Sequence, residues 1–366
     1  MVSNKIKRIQ DLGQSIWLDF FDREIMDSGK LRKMIEEDGI SGVTSNPSIF
    51  EKAIGGSTDY DEDMRTLFQT KRDLEVVFFS LAIKDMKRAA DLFKSVYNRT
   101  NGLDGFVSIE VSPHLAHDTE GTIKQARELW KAINRKNIMI KIPATAAGLP
   151  AIRKCISEGI NINITLLFGL PRYEEVIEAY ISGLEDRLGA YESIEHVTSV
   201  ASFFLSRIDV LLDPELQLKG LTDLKGQVAI ASAKKAYEIY KKAFTGNRFK
   251  KLERKGAKRQ RLLWASTSTK DPTFSDIKYV SSLIGPETIT TLTVQTLNAV
   301  KEHGRPENRL EDNRDKASKV LENLKDSNIN LDAITQRLED EGIEKFNTAY
   351  DEIIESIKQK KIAETA

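Results

Sequence analysis

The chain has 366 residues, and its 55 lysine and arginine residues balance 55 aspartate and glutamate residues, so that the formal net charge at pH 7 is zero. This balance excludes the strong overall field by which many proteins attract nucleic acid or a membrane surface, and neither partner is predicted. A hydrophobic fraction of 40% is enough for one large domain with additions or for two domains.

The compartment is indicated by cysteine content and by the lack of targeting segments. The single cysteine, Cys155, excludes an intramolecular disulfide and favours a reducing compartment. Residues 1–14 are polar and lack the apolar segment of a signal peptide. No segment approaches the roughly 20 apolar residues of a transmembrane helix. We therefore expect a cytoplasmic protein.

Eight short apolar segments recur along the chain, separated by charged segments. We predict strands at residues 15–21, 42–45, 105–111, 137–142, 160–168, 197–205, 261–266 and 288–292. Residues 119–134 repeat apolar side chains on one helical face, and residues 173–184 follow Pro171, which suits a helix start. Alternating strands and helices are typical of a parallel sheet, and near-continuous apolar strands indicate that both its faces are covered.

The number of strand–helix units distinguishes between two parallel folds. Eight units without a glycine-rich phosphate fingerprint favour an α/β fold of the closed (β/α)8 TIM barrel type over a doubly wound sheet. We expect one domain over residues 1–366, with helical insertions at about 51–100 and 213–260. A helical tail is predicted at about 331–360, as one or two helices that pack back on the barrel and cover either its mouth or a subunit interface. Its apolar stripe consists of Ile334, Leu338, Phe346, Tyr350, Ile353 and Ile357.

Lys141 lies within the apolar sequence Ile-Met-Ile-Lys-Ile-Pro of the fourth predicted strand. Burial of an ammonium group is costly and favours the neutral amine, which is a nucleophile able to form a Schiff base with a carbonyl compound. The alternative is a lysine at a strand end whose amine reaches solvent. The local pattern leaves both interpretations open.

Polar side chains stand near the carboxyl ends of most predicted strands, and in a parallel barrel these ends converge on one mouth. Asp19, Glu110 and Lys141 each need a partner if they are buried, so together they predict a site. A self-satisfied structural network would explain the same three residues without catalysis. The complete set of candidate residues is Asp19, Asn46, Glu110, Lys141, Asn163, Thr165, Ser202, Arg207, Ser268 and Lys270.

Several other polar features have plain structural explanations. Thr165 could end a strand, Asn161 is interpreted as structural, and Arg207 could pair with Asp209 at the surface. A basic run at residues 250–261 could bind anions, but a solvated helix face or loop is favoured because no aromatic residues are interleaved. No metal site is predicted, since no cysteine completes a ligand set with the histidines His114, His117, His196 and His303.

Six motifs in a fixed order carry a resemblance that extends along almost the whole chain. They are WLD at 17–19, GVTSNPS at 42–48, VSIEV at 107–111, IKIPAT at 140–145, GININITLLF at 159–168 and LEDEG at 338–342. With these motifs the chain resembles the transaldolase family in its long bacterial form. Single motifs are moderately specific, because class I aldolases share a lysine on a barrel strand, but their joint occurrence is highly specific.

The resemblance implies a mechanism for the candidate residues. Lys141 would form a Schiff base with the C2 carbonyl of a ketose phosphate, and Glu110, with Thr165 and a held water, would move the protons. Asp19 would take the proton from the C4 hydroxyl as the C3–C4 bond breaks. Asn46 and Asn163 would bind the hydroxyls of the three-carbon dihydroxyacetone unit that remains. No cofactor is implied, because the lysine serves as the electron sink.

The implied reaction exchanges sedoheptulose 7-phosphate and glyceraldehyde 3-phosphate with erythrose 4-phosphate and fructose 6-phosphate, in the pentose phosphate pathway. The expected partners are sugar phosphates, for a monomer or a homodimer. Ser202 and Arg207 would bind the phosphate. Short-form relatives carry an arginine where Ser268 stands, so either Lys270 supplies the second cation or the phosphate is held differently, and Lys270 is the preferred interpretation.

Two alternatives to a transferase remain at this stage. A lyase would share Lys141 and Asp19 but would release free dihydroxyacetone, and a non-catalytic protein would bind sugar phosphates on the same fold. The fructose-6-phosphate aldolase relatives are much shorter and carry glutamine where Glu110 stands, which favours the transferase.

Overall fold

A computed structural model describes residues 4–71 and 73–365, and its centre is a closed barrel of eight parallel strands in chain order. The strands are β1 Gln14–Asp19, β2 Gly42–Thr44, β3 Phe106–Glu110, β4 Ile138–Pro143, β5 Ile162–Leu167, β6 Ser199–Phe204, β7 Arg261–Ala265 and β8 Thr288–Leu292. β1 pairs with both β2 and β8, which closes the barrel. The predicted (β/α)8 fold is confirmed, and each predicted strand segment overlaps one observed strand.

The strands are buried along nearly their whole length, because side chains fill the barrel on one face and helices cover the other. The helices that follow the chain in order are α1 Lys5–Asp11, α2 Arg23–Asp27, α3 Lys30–Lys33, α4 Pro47–Gly55, α5 Asp61–Thr70, α6 Leu74–Arg99, α7 Thr119–Ile133, α8 Gly148–Ser157, α9 Leu170–Gly189, α10 Ser206–Leu218, α11 Val228–Phe244, α12 Asn247–Glu253, α13 Lys278–Ser282, α14 Val294–His303, α15 Arg314–Asp326 and α16 Leu331–Thr365.

Short helical turns complete the connections: a π-helical turn at Met34–Asp38 and 3-10 turns at Pro113–Leu115 and Thr222–Leu224. Three helices, α4 to α6, lie between β2 and β3, and α10 to α12 lie between β6 and β7.

In the described ranges, no helix is long and apolar enough to cross a membrane.

The basic run at 250–261 belongs to α12 and to the chain that enters β7, at the amino end of the barrel. The Lys258 amine donates to the carbonyls of Asn101 and Gly102 at 3.1 and 3.0 Å. Arg259 pairs with Glu287 at 2.8 Å. These internal partners anchor one end of the run to the base of the barrel, away from the mouth.

The tail is one helix, α16, which contacts α4, α5, α6, α10, the turn Pro113–Leu115 and β5. It therefore crosses the mouth at the carboxyl ends of the strands. The predicted stripe packs inward: Leu338, Phe346, Tyr350, Ile353 and Ile357 are buried, and Ile334 is partly buried. The Tyr350 hydroxyl donates to Glu75 Oε1 at 2.8 Å, which ties the tail to α6.

Candidate active site

A cavity of about 600 Å³ opens at the mouth of the barrel. Seven of the predicted site residues line it, namely Asp19, Asn46, Lys141, Thr165, Ser202, Arg207 and Lys270. They come from β1, β4, β5 and β6 and from the chain after β2, β6 and β7. The alternation of side chains along each strand brings these distant positions to one place.

Lys141 occupies the floor of this cavity. It pairs in register with Glu110 on β3 and with Asn163 on β5, and its side chain is only 6% exposed. The amine donates to the Ser45 carbonyl at 2.9 Å and lies 3.1 Å from Glu110 Oε2. The strand-end alternative required an amine that reaches bulk solvent. The Lys141 amine does not reach it, because it is buried and bound to protein groups.

Glu110 lies behind Lys141, beside a small space of about 10 Å³ that is bounded by Phe50, Phe78 and Tyr350. Burial raises the pKa of the Glu110 carboxyl, and the positive charge of Lys141 opposes this only in part. A carboxyl in this position can hold or release a proton beside the amine.

Asp19, at the end of β1, lies at the cavity wall and accepts a hydrogen bond from the Thr44 hydroxyl at 2.9 Å. Desolvation raises the pKa of the Asp19 carboxyl, while Lys141, the Thr44 hydrogen bond and Arg207 act in the opposite direction. The site thus holds two carboxyls of raised pKa near one amine, a combination suited to acid–base chemistry.

Asn163 and Ser268 do not line the cavity. The Asn163 amide is fully buried, where it donates to the Ser108 hydroxyl at 3.0 Å and accepts from the Ser202 hydroxyl at 2.7 Å. The Ser268 hydroxyl lies 3.1 Å from that of Thr296 and 3.4 Å from that of Thr293. Each therefore reaches the cavity through a neighbour, because Ser202 and Thr293 do line it.

Asn46 is the N-cap residue directly before α4, and its side-chain oxygen accepts a hydrogen bond from the Ile49 amide at 3.1 Å. The amide nitrogen of Asn46 remains as a donor for a ligand in the cavity. The Thr165 hydroxyl is buried with no hydrogen-bond partner among residues 4–71 and 73–365, so it too can bind a ligand or a water.

Arg207 lies between two aromatic rings at the cavity rim. Its guanidinium carbon is 5.4 Å from the ring centre of Phe204 and 6.0 Å from that of Phe346 on the tail. Burial lowers the pKa of Arg207. The guanidinium stays protonated, because the ordinary pKa of arginine lies far above neutral pH. Its Nη1 has no hydrogen-bond partner in the described part of the chain. This buried nitrogen is therefore an unpaired donor on a side chain that lines the cavity.

Asp209, the alternative partner for Arg207, is bound elsewhere. Its carboxylate accepts from the Ala229 amide and from the Tyr279 hydroxyl, both at 2.9 Å. The interpretation of Arg207 as a surface residue paired with Asp209 was therefore wrong.

Sequence reasoning missed several residues that line the cavity, including Ser48, Lys52, Phe204, Ser266 and Phe346. Ser266 directly follows β7 with a φ of +53°, an uncommon conformation for a residue with a side chain. It was one member of a run of five polar residues, so its position in that run carried no separate signal. Phe346 lay within the tail stripe, but helical periodicity could not show which member reaches the cavity.

The histidines and the cysteine lie outside this site. His114 pairs with Asp351 at 2.7 Å and His303 with Asp276 at 2.9 Å, and both histidines are exposed. No group of three or more metal-ligating side chains occurs within the described ranges. Burial raises the pKa of the Cys155 thiol to about 12, so this thiol is unreactive at neutral pH.

A buried lysine beside carboxyls of raised pKa, at the carboxyl end of a parallel barrel, defines the site of an enzyme that acts on a carbonyl compound. Comparison with known proteins identifies the family. The sequence profile described as Transaldolase/Fructose-6-phosphate aldolase matches residues 16–357. The chain belongs to this family, and it is an enzyme.

Three curated relatives match nearly the whole chain. A protein named transaldolase from Trichodesmium erythraeum is 48% identical over 373 residues, which is 98% of each chain. One with the same name from Thiobacillus denitrificans is 42% identical, covering 97% of this chain and 99% of the relative. One from Saccharopolyspora erythraea is 40% identical, covering 98% of each chain.

Proposed function

We propose that this protein is a transaldolase, a transferase that moves a dihydroxyacetone unit between sugar phosphates through a Schiff base on Lys141. The observation that carries the proposal is the Lys141 amine, 3.1 Å from Glu110 Oε2 at the floor of a cavity that also contains Asp19. The names of the full-length relatives support the transferase activity over other chemistries of the family.

In the first step the neutral Lys141 amine attacks the C2 carbonyl of a ketose phosphate. Glu110 takes the proton that the ammonium must lose and later protonates the carbinolamine hydroxyl, which leaves as water. The space of about 10 Å³ beside Glu110 is the size of one water, which supports a held water in this transfer. The Thr165 hydroxyl lies on the wall of the larger cavity and has no hydrogen-bond partner in the described part of the chain, so it is available there to the carbinolamine or to a water.

In the second step Asp19 takes the proton of the C4 hydroxyl, and the C3–C4 electron pair moves onto C3 and into the iminium. An aldose phosphate leaves, and the three-carbon enamine stays on Lys141. The same groups act in reverse when the enamine carbon attacks the carbonyl of the acceptor aldose phosphate, with Asp19 returning the proton.

The substrate is held by donors on two sides of the cavity. Arg207 and Lys270 provide two cations for the phosphate, and Ser202 adds a hydroxyl. Asn46 binds the hydroxyls of the three-carbon unit. Asn163 contributes through Ser202, and Ser268 through Thr293.

We retain the remaining expectations within this proposal. The substrates are sedoheptulose 7-phosphate with glyceraldehyde 3-phosphate, exchanged for erythrose 4-phosphate and fructose 6-phosphate in the pentose phosphate pathway, without a cofactor. The protein acts in the cytoplasm as a monomer or homodimer.

Borohydride reduction in the presence of fructose 6-phosphate tests the Schiff base. The expected result is a reduced three-carbon adduct on the peptide that contains Lys141, and its loss in Lys141→Ala. A matched control is Lys136→Ala, which removes an exposed lysine shortly before β4 and keeps the adduct. An unmodified Lys141 in wild-type protein that binds the sugar would favour the non-catalytic alternative.

A second assay separates the transferase from the lyase. Fructose 6-phosphate is supplied without an acceptor aldose, and free dihydroxyacetone is measured. The transferase releases it far more slowly than it turns over with erythrose 4-phosphate present. Equal rates would favour the lyase.

A further inference from the structure

A second cavity, of about 590 Å³, lies between α11 and α15 and the chain segments around residues 225–227, 274–282 and 307–313. It shares no lining residue with the cavity at the barrel mouth. The reaction proposed above makes no use of it.

Positive charge dominates the lining of this second cavity. Five cations line it, Lys225, Lys234, Lys278, Arg309 and Lys316, against two acids, Glu307 and Asp312. The Lys316 amine has no hydrogen bond or ion pair in the described part of the chain. Lys234 donates to the main-chain carbonyls of Arg309 and Asp312 at 2.5 and 2.6 Å, and it forms no ion pair within 4 Å in the described ranges.

Lys278 has an unusual setting at the edge of this cavity. Its amine is buried and makes no hydrogen bond within the described ranges, and it forms a long ion pair with Asp209 Oδ2 at 3.5 Å. The ring centre of Phe274 lies 3.6 Å from the amine. A buried ammonium is stabilised by direct hydrogen bonds to its N–H groups. An oxyanion that displaced the Phe274 ring would supply such a bond.

The Lys278 amine occupies space that is open only because residue 226 is a glycine. A Cβ on Gly226, which has a φ of +65°, would lie 2.2 Å from Lys278 Nζ. Any side chain at position 226 would therefore displace the amine from its place. The cavity also has an apolar wall, which includes Ile230 and Val320.

We propose that this second cavity binds a small phosphorylated molecule, with its phosphate oxygens on Lys278, Lys225 and Lys316 and its apolar part against Ile230 and Val320. Excess positive charge, the unpaired Lys316 amine and the Lys278 ammonium, which only a long ion pair holds, suit a phosphate dianion. The apolar wall suits a phosphate ester better than a free inorganic ion.

The test measures binding of phenyl phosphate, a phosphate ester with an apolar ring, to the full-length protein by calorimetry, at constant ionic strength. An Arg207→Ala background weakens phosphate binding at the barrel mouth. We expect one saturable site in that background, and about tenfold weaker binding after the exposed Lys316→Glu change. The matched control is Lys319→Glu, which reverses an exposed charge on the same helix, outside the cavity lining, and changes affinity less than twofold.

Three outcomes would overturn the proposal. No saturable binding in the Arg207→Ala background would assign phenyl phosphate to the barrel mouth alone. If Lys316→Glu and Lys319→Glu weaken binding of the probe equally, the effect is one of overall surface charge and there is no specific site. Unchanged affinity in both Lys316→Glu and Lys225→Glu would remove the cavity as the location. Thermal unfolding of each variant, with an unchanged midpoint, excludes misfolding as the cause of any loss.

Discussion

The Lys141 amine lies 3.1 Å from the Glu110 carboxylate on the neighbouring strand, and both side chains are only 6% exposed. A buried pair of this kind contributes little to stability, because desolvation of two charges offsets their attraction. The Lys141–Glu110 pair instead serves the reaction. A proton can pass between the two groups without crossing bulk water, and the amine is left neutral when Glu110 holds the proton.

Glu110→Gln tests this proton transfer. Glutamine keeps the shape and a hydrogen-bonding oxygen but cannot take a proton. Formation of the borohydride-trappable adduct should slow by about 10²–10⁴-fold, the usual contribution of a general base. Single-turnover quenching measures the rate, and the final amount of adduct should change little. An unchanged rate would show that another base serves Lys141.

Asp19→Asn separates Schiff-base formation from carbon–carbon cleavage. We expect the adduct to form and to retain all six carbons of fructose 6-phosphate, with aldose release slowed by about 10²–10⁴-fold. Mass spectrometry of the reduced peptide distinguishes six-carbon from three-carbon adducts. Asp22→Asn is the control, since that carboxylate lines the same cavity but caps α2 by accepting from the Ile25 amide at 2.8 Å. A three-carbon adduct formed at the normal rate would contradict the role of Asp19.

Thr44→Val should shift the acid limb of the pH profile for cleavage. Desolvation already raises the pKa of Asp19, and the Thr44 hydrogen bond lowers it in part. Asp19 acts as a base only when ionised, so activity falls as the pH drops through its pKa. Without the Thr44 hydroxyl that pKa rises further, and the limb moves to higher pH. Ser48→Ala, which removes another cavity hydroxyl, should leave the limb in place.

Phe346→Leu tests the tail as a wall of the cavity. The smaller side chain admits water to the enamine, so release of free dihydroxyacetone without an acceptor should rise, by roughly tenfold or about 1.4 kcal/mol. Leucine is preferred over alanine, which would cost about 3–5 kcal/mol in a buried position. Thr348→Ala, on the exposed side of the same helix, is the control. If the two variants release dihydroxyacetone equally, Phe346 does not exclude water.

Arg207→Ala should raise KM for phosphorylated sugars by about 10–100-fold, since hydrogen bonds to charged groups contribute about 1.5–3 kcal/mol. The comparison substrate is fructose without its phosphate, for which kcat/KM should change little. A similar loss with both sugars would indicate that Arg207 holds the rings of Phe204 and Phe346 in place and does not bind phosphate.

The barrel and the catalytic strands could be predicted from the sequence, because both depend on short periodic patterns. Eight apolar segments predicted the strands, and the alternation of side chains placed Asp19, Lys141 and Thr165 in one cavity. The resemblance to a family added the order of the motifs and a role for each residue.

The positions of other site residues could not be predicted, because they depend on tertiary contacts that no local sequence pattern records. Asn163 shares the strand face of Thr165, yet its amide is held between the hydroxyls of Ser108 on β3 and Ser202 on β6. Ser268 lies beyond the end of β7, where the regular alternation of faces has stopped. Phe346 reaches the cavity only because α16 crosses the mouth, and Gly342 permits the approach. A Cβ on Gly342 would lie 2.9 Å from Leu166 Cδ2.

Because the tail that covers the mouth is the last helix of the chain, the barrel can form before the tail is synthesised. All eight strands precede Phe346 in the chain, and β8 ends at Leu292. At about 5–20 residues per second, a ribosome needs several seconds to travel from the end of β8 to Phe346. A nascent chain can therefore close its barrel around Lys141 while the cavity still lacks one wall. In that interval the amine is open to any small aldehyde or ketone, and the last helix ends this exposure when it docks.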